Sequence, residues 1–457
     1  MKVVLISPYE IGRQPFGLAE PAAMLRSRGY DVCTIDLSRE RIDPIEVRDA
    51  GLIALYLAMH TATRIAFEAL PRLSSLAPGV HLCAYGLYAP MNEALLRRHG
   101  VNSILGGEFE PSLIELADSL RTGRSIENPL PQNGRVDFVV PDRTTMVDLD
   151  RYAQLILADG TRKVMGFAEA SRGCKHLCRH CPIVPIYNGK FRAIPVPVVI
   201  ADIENQIRMG AEHISFGDPD FLNGPTHARK VVEALHQRFP RVTFDATIKI
   251  EHLLAHSGML PLLRDAGCLF ITSAAESVDD TILDYLQKNH TNEDFGKAVE
   301  ILREIGIDLA PTFVAFNPWT TIQGYIDLLS RLVDLRMVES VPSIQLAIRL
   351  LVPKGSYLLN IPGFVSQLEE FDPEILGYPW LNRDKRVDDL QASVQLLVEK
   401  TEGSTRRSVF NLVWRIAHEF AGTIARELPD DLGSEIPHHS EAWYCCAEPT
   451  NQQLVGF

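Results

Sequence analysis

No stretch of this chain approaches 18 uninterrupted apolar residues, so no conventional membrane-spanning helix is encoded. Basic residues are in deficit: 45 Lys and Arg face 58 Asp and Glu, a formal net charge of −13. That excludes a general nucleic-acid surface, which needs clustered cations to neutralise phosphates. It leaves room for a small anionic substrate in a local basic pocket. Cysteine is scarce, with 8 in 457 residues, too few for a disulfide framework. Internal repeats and low-complexity tracts are absent. The apolar opening Met1–Pro8 lacks a small-residue cleavage site behind it and is broken early by Pro8 and Gly12, so it reads as a buried strand rather than a leader. A reducing cytoplasm is the expected home for such a chain.

What is present is an ordinary globular composition, 46% hydrophobic and 23% charged, in a chain long enough for two or three domains. Apolar runs alternate with helical patterns from residue 1 to about 125. Val3–Ile6, Asp31–Leu37, Leu52–Leu57, Val80–Gly86 and Ser103–Glu108 read as strands, with helices ending at Gly29 and spanning Pro111–Leu120. Continuous apolar strands in βα alternation predict a doubly wound, Rossmann-like parallel sheet. Residues 126–160 form a linker whose first part carries Pro129, Pro131, Asn133, Gly134 and Pro141. Alternation resumes over 161–355, with strands at Val164–Ala170, His213–Phe221, Val242–Lys249, Leu269–Ser277, Leu309–Phe316 and Ser343–Leu350. Six βα units predict a partial (β/α)6 TIM-like barrel, whose strand C-termini face an active site. Residues 356–457 read as a helical C-terminal region; Val387, Leu390, Val394 and Leu397 share one helix face.

The chemistry concentrates in Cys174-Lys175-His176-Leu177-Cys178-Arg179-His180-Cys181. Three thiolates at CxxxCxxC spacing can hold three irons of a 4Fe–4S cluster and leave the fourth open. A structural zinc site wants four ligands; His176 or His180 would have to supply the last from a strained position. A disulfide would leave one cysteine odd.

Set after a strand, this motif resembles the signature of the radical S-adenosylmethionine (SAM) superfamily, in which SAM chelates the open iron. Later segments carry the same resemblance. Phe216-Gly217-Asp218-Pro219-Asp220-Phe221 is similar to the second-strand motif that takes the SAM amino group, a pure donor that needs acceptors. Glu276, with Lys288 downstream, looks like the fourth-strand contact to the SAM ribose or carboxylate. Phe316 falls where the family contacts adenine. Taken singly, Asp218 could be a turn residue and Glu276 a helix cap. His180 replaces the family's usual aromatic residue before the third cysteine, where imidazole can still stack and a titratable group adjoins the cluster. The resemblance therefore implies metal ligands Cys174, Cys178 and Cys181, and SAM-site residues His180, Gly217, Asp218, Asp220, Lys249, Glu276 and Phe316. It also implies a small-molecule substrate and an electron donor such as flavodoxin or ferredoxin.

The N-terminal sheet resembles the cobalamin-binding-like domain that precedes many such barrels. Where its DxHxxG loop has Asp and His, this chain has Ser7 and Tyr9; only Gly12 matches. Two readings stay open: cobalamin bound without a protein histidine, or the cofactor lost. The C-terminal Trp443-Tyr444-Cys445-Cys446-Ala447-Glu448-Pro449 resembles a radical SAM group with a Cys-Cys-Ala-Glu-Pro tail. Vicinal thiols suit soft metals and redox cycling, so Cys445 and Cys446 are candidates to engage substrate or intermediate. The reaction is open between hydrogen abstraction and 3-amino-3-carboxypropyl transfer to a thiol-bound metalloid such as arsenite. A non-catalytic iron–sulfur or metal-binding protein is the reading of another class.

Overall fold

Continuous apolar runs bury the first strands completely: Val3, Val4, Leu5 and Ile6 have no exposed surface. The structure, a computed structural model, describes residues 1–124, 136–401 and 403–441. Strands β1 (Lys2–Ser7), β2 (Asp31–Asp36), β3 (Ala50–Tyr56), β4 (His81–Tyr85) and β5 (Ser103–Leu105) form one parallel sheet in the order β2-β1-β3-β4-β5. Helices Phe16–Ser27 and Glu110–Thr122 bury Leu18, Leu25, Leu113 and Leu116 against one face. Helix His60–Leu76 buries Ile65, Leu70 and Leu73 against the other. The order of strand addition reverses between β1 and β3, and in such sheets ligands meet the strand C-termini at that switch.

The second sheet contains β6 (Gln154–Ile156), β7 (Arg162–Ala168), β10 (His213–Phe216), β11 (Thr243–Thr247), β12 (Cys268–Glu276), β13 (Asp308–Phe313) and β14 (His438–His439). A separate hairpin, β8 (Ser171–Gly173) and β9 (Phe191–Ala193), lies between β7 and β10 in the chain. The order is β13-β12-β11-β10-β7-β6-β14, parallel from β7 to β13 and antiparallel at β6 and β14. Helices cover the outer face, giving a partial barrel. The C-terminal helices Lys385–Lys400 and Arg406–Ala421 join the same core through Val387, Leu390, Val394, Phe410 and Trp414. Among the described residues no helix is long and apolar enough to cross a membrane.

The expected sixth barrel strand over 343–350 is a correction. Residues Ser343–Leu346 form a 3-10 turn, and the segment meets the barrel through an isolated bridge of Phe316 with Arg349. The cause is local. Pro342 starts the turn, and the Gln345 side chain, rather than backbone, accepts from the Phe313 N–H at 3.0 Å.

The two-residue β14 is held by more than its backbone. His439 Nε2 reaches Asp245 Oδ2 at 2.8 Å, beside His213 Nε2 at 2.9 Å, while Ser215 Oγ donates to Oδ1 at 3.1 Å. Burial alone would raise the Asp245 carboxyl, but His439 and His213 outweigh it and hold it well below the usual range. This anion latches the C-terminal segment inside the barrel. Replacing Asp245 with Ala is expected to cost at least ~2 kcal/mol in denaturant unfolding, because a charged acceptor of three donors is lost; unchanged stability would contradict the latch.

Candidate active site

The cysteine loop is lifted over the barrel mouth by the β8–β9 hairpin, which pairs Gly173 with Phe191. Gly173 has φ +73°, and a Cβ there would lie 2.4 Å from the Lys190 carbonyl, so the turn into Cys174 requires glycine. Cys174 and Cys178 are buried, Cys181 is half-buried, and none of the three is in a disulfide. Burial pushes the Cys174 thiol up to about 11, so metal must displace its proton. Neighbours fix the loop from several sides. Asn223 Oδ1 accepts from Lys175 N–H at 3.0 Å and lies 3.8 Å from Cys174 Sγ. The Arg179 N–H donates to the Leu286 carbonyl at 3.0 Å, and Ser356 Oγ donates to the Arg179 carbonyl at 3.2 Å.

Asp218, after β10, uses both oxygens on the loop's approach: Ala170 N–H donates at 2.9 Å and Ser171 Oγ at 2.5 Å. Burial pushes its carboxyl up to about 7. Its geometry is that of a loop clamp. Gly217 is a packing position, because a Cβ would sit 2.0 Å from the Phe167 ring. At the end of β12, Glu276 adopts φ +66° and turns inward. His180 Nε2 lies 2.9 Å from its Oε1, and Lys288 Nζ 3.6 Å away. Burial would raise Glu276, but Lys288 and His180 outweigh it and hold the carboxyl near 2. His180 is thus pinned edge-on by Glu276, which limits the stacking role expected of it. Lys249, after β11, lies 3.3 Å from Glu251. Asp220 faces His176 and His252 at 3.3 and 2.6 Å. Phe316 departs from expectation: its ring is 1% exposed and stacks on Tyr325 at 4.6 Å in the core, so it is spent on packing. Cys445 and Cys446 lie outside the described residues.

Arg172 was not singled out by the sequence, although it stands two residues before Cys174. It is buried and ion-paired to Glu20, Glu108 and Glu110 from the first sheet's side and to Glu169 from the barrel. The two α/β units meet across it. The cavity between them has a volume of about 130 Å³, with Phe16, Tyr56 and Phe109 on one wall and Glu169, Arg172 and Tyr187 on the other.

These observations test the expected cofactors. Three thiols on one turn at a strand end suit a 4Fe–4S cluster with one iron open. His180 Nδ1, Ser273 Oγ and His290 Nδ1 are buried without hydrogen-bond partners, which suits a polar cosubstrate such as SAM beside them. Among the described residues the cavity between the two units, about 130 Å³, does not fit cobalamin, since even a drug-sized ligand needs roughly 300 Å³ or more. Tyr9, at the histidine position of the cobalamin loop, donates to Glu441. Glu441 also fills the space beside Gly12, 2.2 Å from where a Cβ would lie.

Residues 169–320 match the family model of the Radical SAM superfamily. Those residues form a radical SAM-type domain. The chain is similar to the anaerobic magnesium-protoporphyrin IX monomethyl ester cyclase of Rubrivivax gelatinosus, 23% identical over 66% of this chain and 58% of the relative. It thus spans little more than half that relative's length. Among solved structures it resembles the radical S-adenosylmethionine methyltransferase TsrM of Kitasatospora setae, with TM-score 0.62, 19% identity, and coverage of 73% of this chain and 71% of that one. It also resembles the cobalamin-dependent S-adenosylmethionine radical enzyme OxsB, with TM-score 0.68, 13% identity, and coverage of 88% and 67%. At these identities the structures establish the shared fold.

Two outcomes are expected. Burial pushes the Glu20 carboxyl up to about 8, with Arg172 opposing and Glu110 and Glu169 reinforcing. A carboxyl raised on folding stabilises at low pH and loses that contribution as pH rises through its folded value. His60 and His290, lowered by burial to about 4, are already neutral at pH 7. Thermal midpoints should therefore fall as pH rises from 7 to about 8, and Glu20→Gln should flatten the fall; a rise would contradict it. Glu276→Gln should destabilise the chain by roughly 2–4 kcal/mol at pH 7, by stripping Lys288 and His180 of a buried anion. For the unsubstituted chain that contribution should be present above about pH 4.5 and lost as pH falls toward 2. Equal denaturant midpoints at pH 7 would sink this reading.

Proposed function

We propose that this chain cleaves SAM reductively on Cys174, Cys178 and Cys181 to start radical chemistry on a small-molecule substrate held at the barrel mouth. The observation that carries it is three cysteines, none in a disulfide, on a loop clamped over strand ends, in a chain that also buries unsatisfied polar atoms on His180, Ser273 and His290. A bound cluster would supply the electron that splits a carbon–sulfur bond of SAM, drawn from a donor such as flavodoxin or ferredoxin. The chain's own residues do the rest. Asp218 and Asn223 hold the loop's shape. Glu276 fixes His180 and Lys288 beneath the third cysteine. The closed wall around Arg172 limits water at the mouth, which protects a reactive carbon radical. Cys445 and Cys446 are candidates to hold substrate or quench an intermediate.

Methyl transfer is a second reading, supported by the likeness to a methyltransferase. The filled space beside Tyr9 and Gly12 weighs against a cobalamin methyl carrier here. Aminocarboxypropyl transfer to a metalloid on the tail thiols is the third. The nucleoside product separates them. Anaerobically reconstituted, dithionite-reduced protein with SAM should release 5′-deoxyadenosine, and Cys178→Ala should not. Methylthioadenosine as main product would replace the first reading with aminocarboxypropyl transfer. S-adenosylhomocysteine would replace it with methyl transfer. No SAM cleavage by cluster-loaded protein would overturn it.

A further inference from the structure

The described residues hold two clusters of two histidines and one aspartate whose candidate ligand atoms lie within 4.8 Å of one another. Their geometries differ. In the latch beneath the barrel, His213 and His439 direct well-formed hydrogen bonds at Asp245, and nothing is left over. At the mouth, His252 Nδ1 and His176 Nε2 approach Asp220 Oδ2 to 2.6 and 3.3 Å, yet none of these three buried atoms has a hydrogen bond of acceptable direction. Two imidazole nitrogens and a fully buried carboxylate oxygen gathered this closely, with no hydrogen bond formed between them, are the donor set a shared cation would take.

The surroundings support that reading. Glu251 Oε2 stands 3.5 Å from the other nitrogen of His176, and Lys249 holds Glu251 at 3.3 Å. A carboxylate on the far nitrogen of a ligating histidine fixes its tautomer and strengthens its donor atom. Asp220 Oδ1 is occupied by the Leu222 N–H at 3.3 Å, which leaves Oδ2 to face inward. The three residues follow the C-terminal ends of β7, β10 and β11, three neighbouring strands of the sheet. Functional sites of barrels are built there.

We propose that His176 Nε2, Asp220 Oδ2 and His252 Nδ1 bind a divalent transition-metal ion at the barrel mouth, separate from the cysteine-bound cluster. Two imidazoles and one carboxylate suit Zn²⁺, Fe²⁺ or Co²⁺ and leave coordination positions open for a substrate oxygen or nitrogen. The ion would anchor substrate next to the cluster loop, because His176 lies between Cys174 and Cys178. Asp220 then serves this metal, in place of the SAM amino group expected from the sequence.

The test uses the full chain, loaded anaerobically with its cluster so that the cysteines are taken, and Co²⁺ as probe. About one further Co²⁺ per chain should bind, with weak d–d bands of nitrogen and oxygen ligation and no thiolate charge-transfer band. His252→Ala and Asp220→Asn should abolish it, Glu251→Gln should weaken it roughly 10- to 100-fold, and His439→Ala should leave it intact. Far-UV circular dichroism and cluster absorbance check that each variant is folded. Should a variant not fold, Zn²⁺ added to the unsubstituted holoprotein must still raise its thermal midpoint. Absence of Co²⁺ binding, absence of the Zn²⁺ shift, binding that survives His252→Ala in a folded chain, loss on His439→Ala, or a thiolate band removed by Cys445→Ser would each overturn the site. None of these readouts depends on SAM cleavage, so the site and the proposed reaction can fail separately.

Discussion

The buried guanidinium of Arg172 is the constraint on which the two halves of the molecule depend. Glu20, Glu108 and Glu110 come from the N-terminal sheet and its helices, Glu169 from the barrel, and all four surround one cation. Carboxylates so buried repel one another strongly unless a positive charge or a proton intervenes. Arg172 supplies a positive charge, and burial raises Glu20 so that its carboxyl holds a proton near neutral pH. Because Arg172 is followed directly by Gly173 and Cys174, the same residue that closes the two units also sets where the cysteine loop begins. Asp218 completes the hold by accepting from Ala170 and Ser171 on the other side of that turn.

Closure has a chemical consequence. Phe16, Tyr56 and Phe109 crowd the C-terminal edge of the first sheet, and Glu441 occupies the loop after β1. A Rossmann-like domain of this order is built to bind a ligand at that edge. Here, among the described residues, the chain's own side chains narrow that edge. Fold likeness to a cobalamin-dependent enzyme is therefore compatible with a different use of the same domain.

Much of this was legible in the sequence. Continuous apolar runs such as Val3–Ile6 and Leu269–Ile271 can only be interior parallel strands, and the CxxxCxxC spacing carries its own chemistry. What could not be read depended on contacts between distant residues. β6 and β14 are three and two residues long, too short for any period to show. The strand expected at 343–350 lost its ladder to one side chain, that of Gln345. Asp218 and Phe316 sit in motif positions, yet one clamps the loop and the other packs the core. His176 and His252 carry no local signal, because their partner Asp220 comes from another strand end. Two neighbouring histidines, 438 and 439, were the only trace of the latch, and nothing in their spacing names Asp245.

The central claim is that the cysteine loop carries a cluster with one iron open to SAM. Electron paramagnetic resonance of the reduced, reconstituted chain tests it most directly. The account predicts a 4Fe–4S signal that changes in shape when SAM is added and is absent in Cys174→Ala. A signal indifferent to SAM, or a protein that takes up zinc in place of iron at these three thiols, would contradict it.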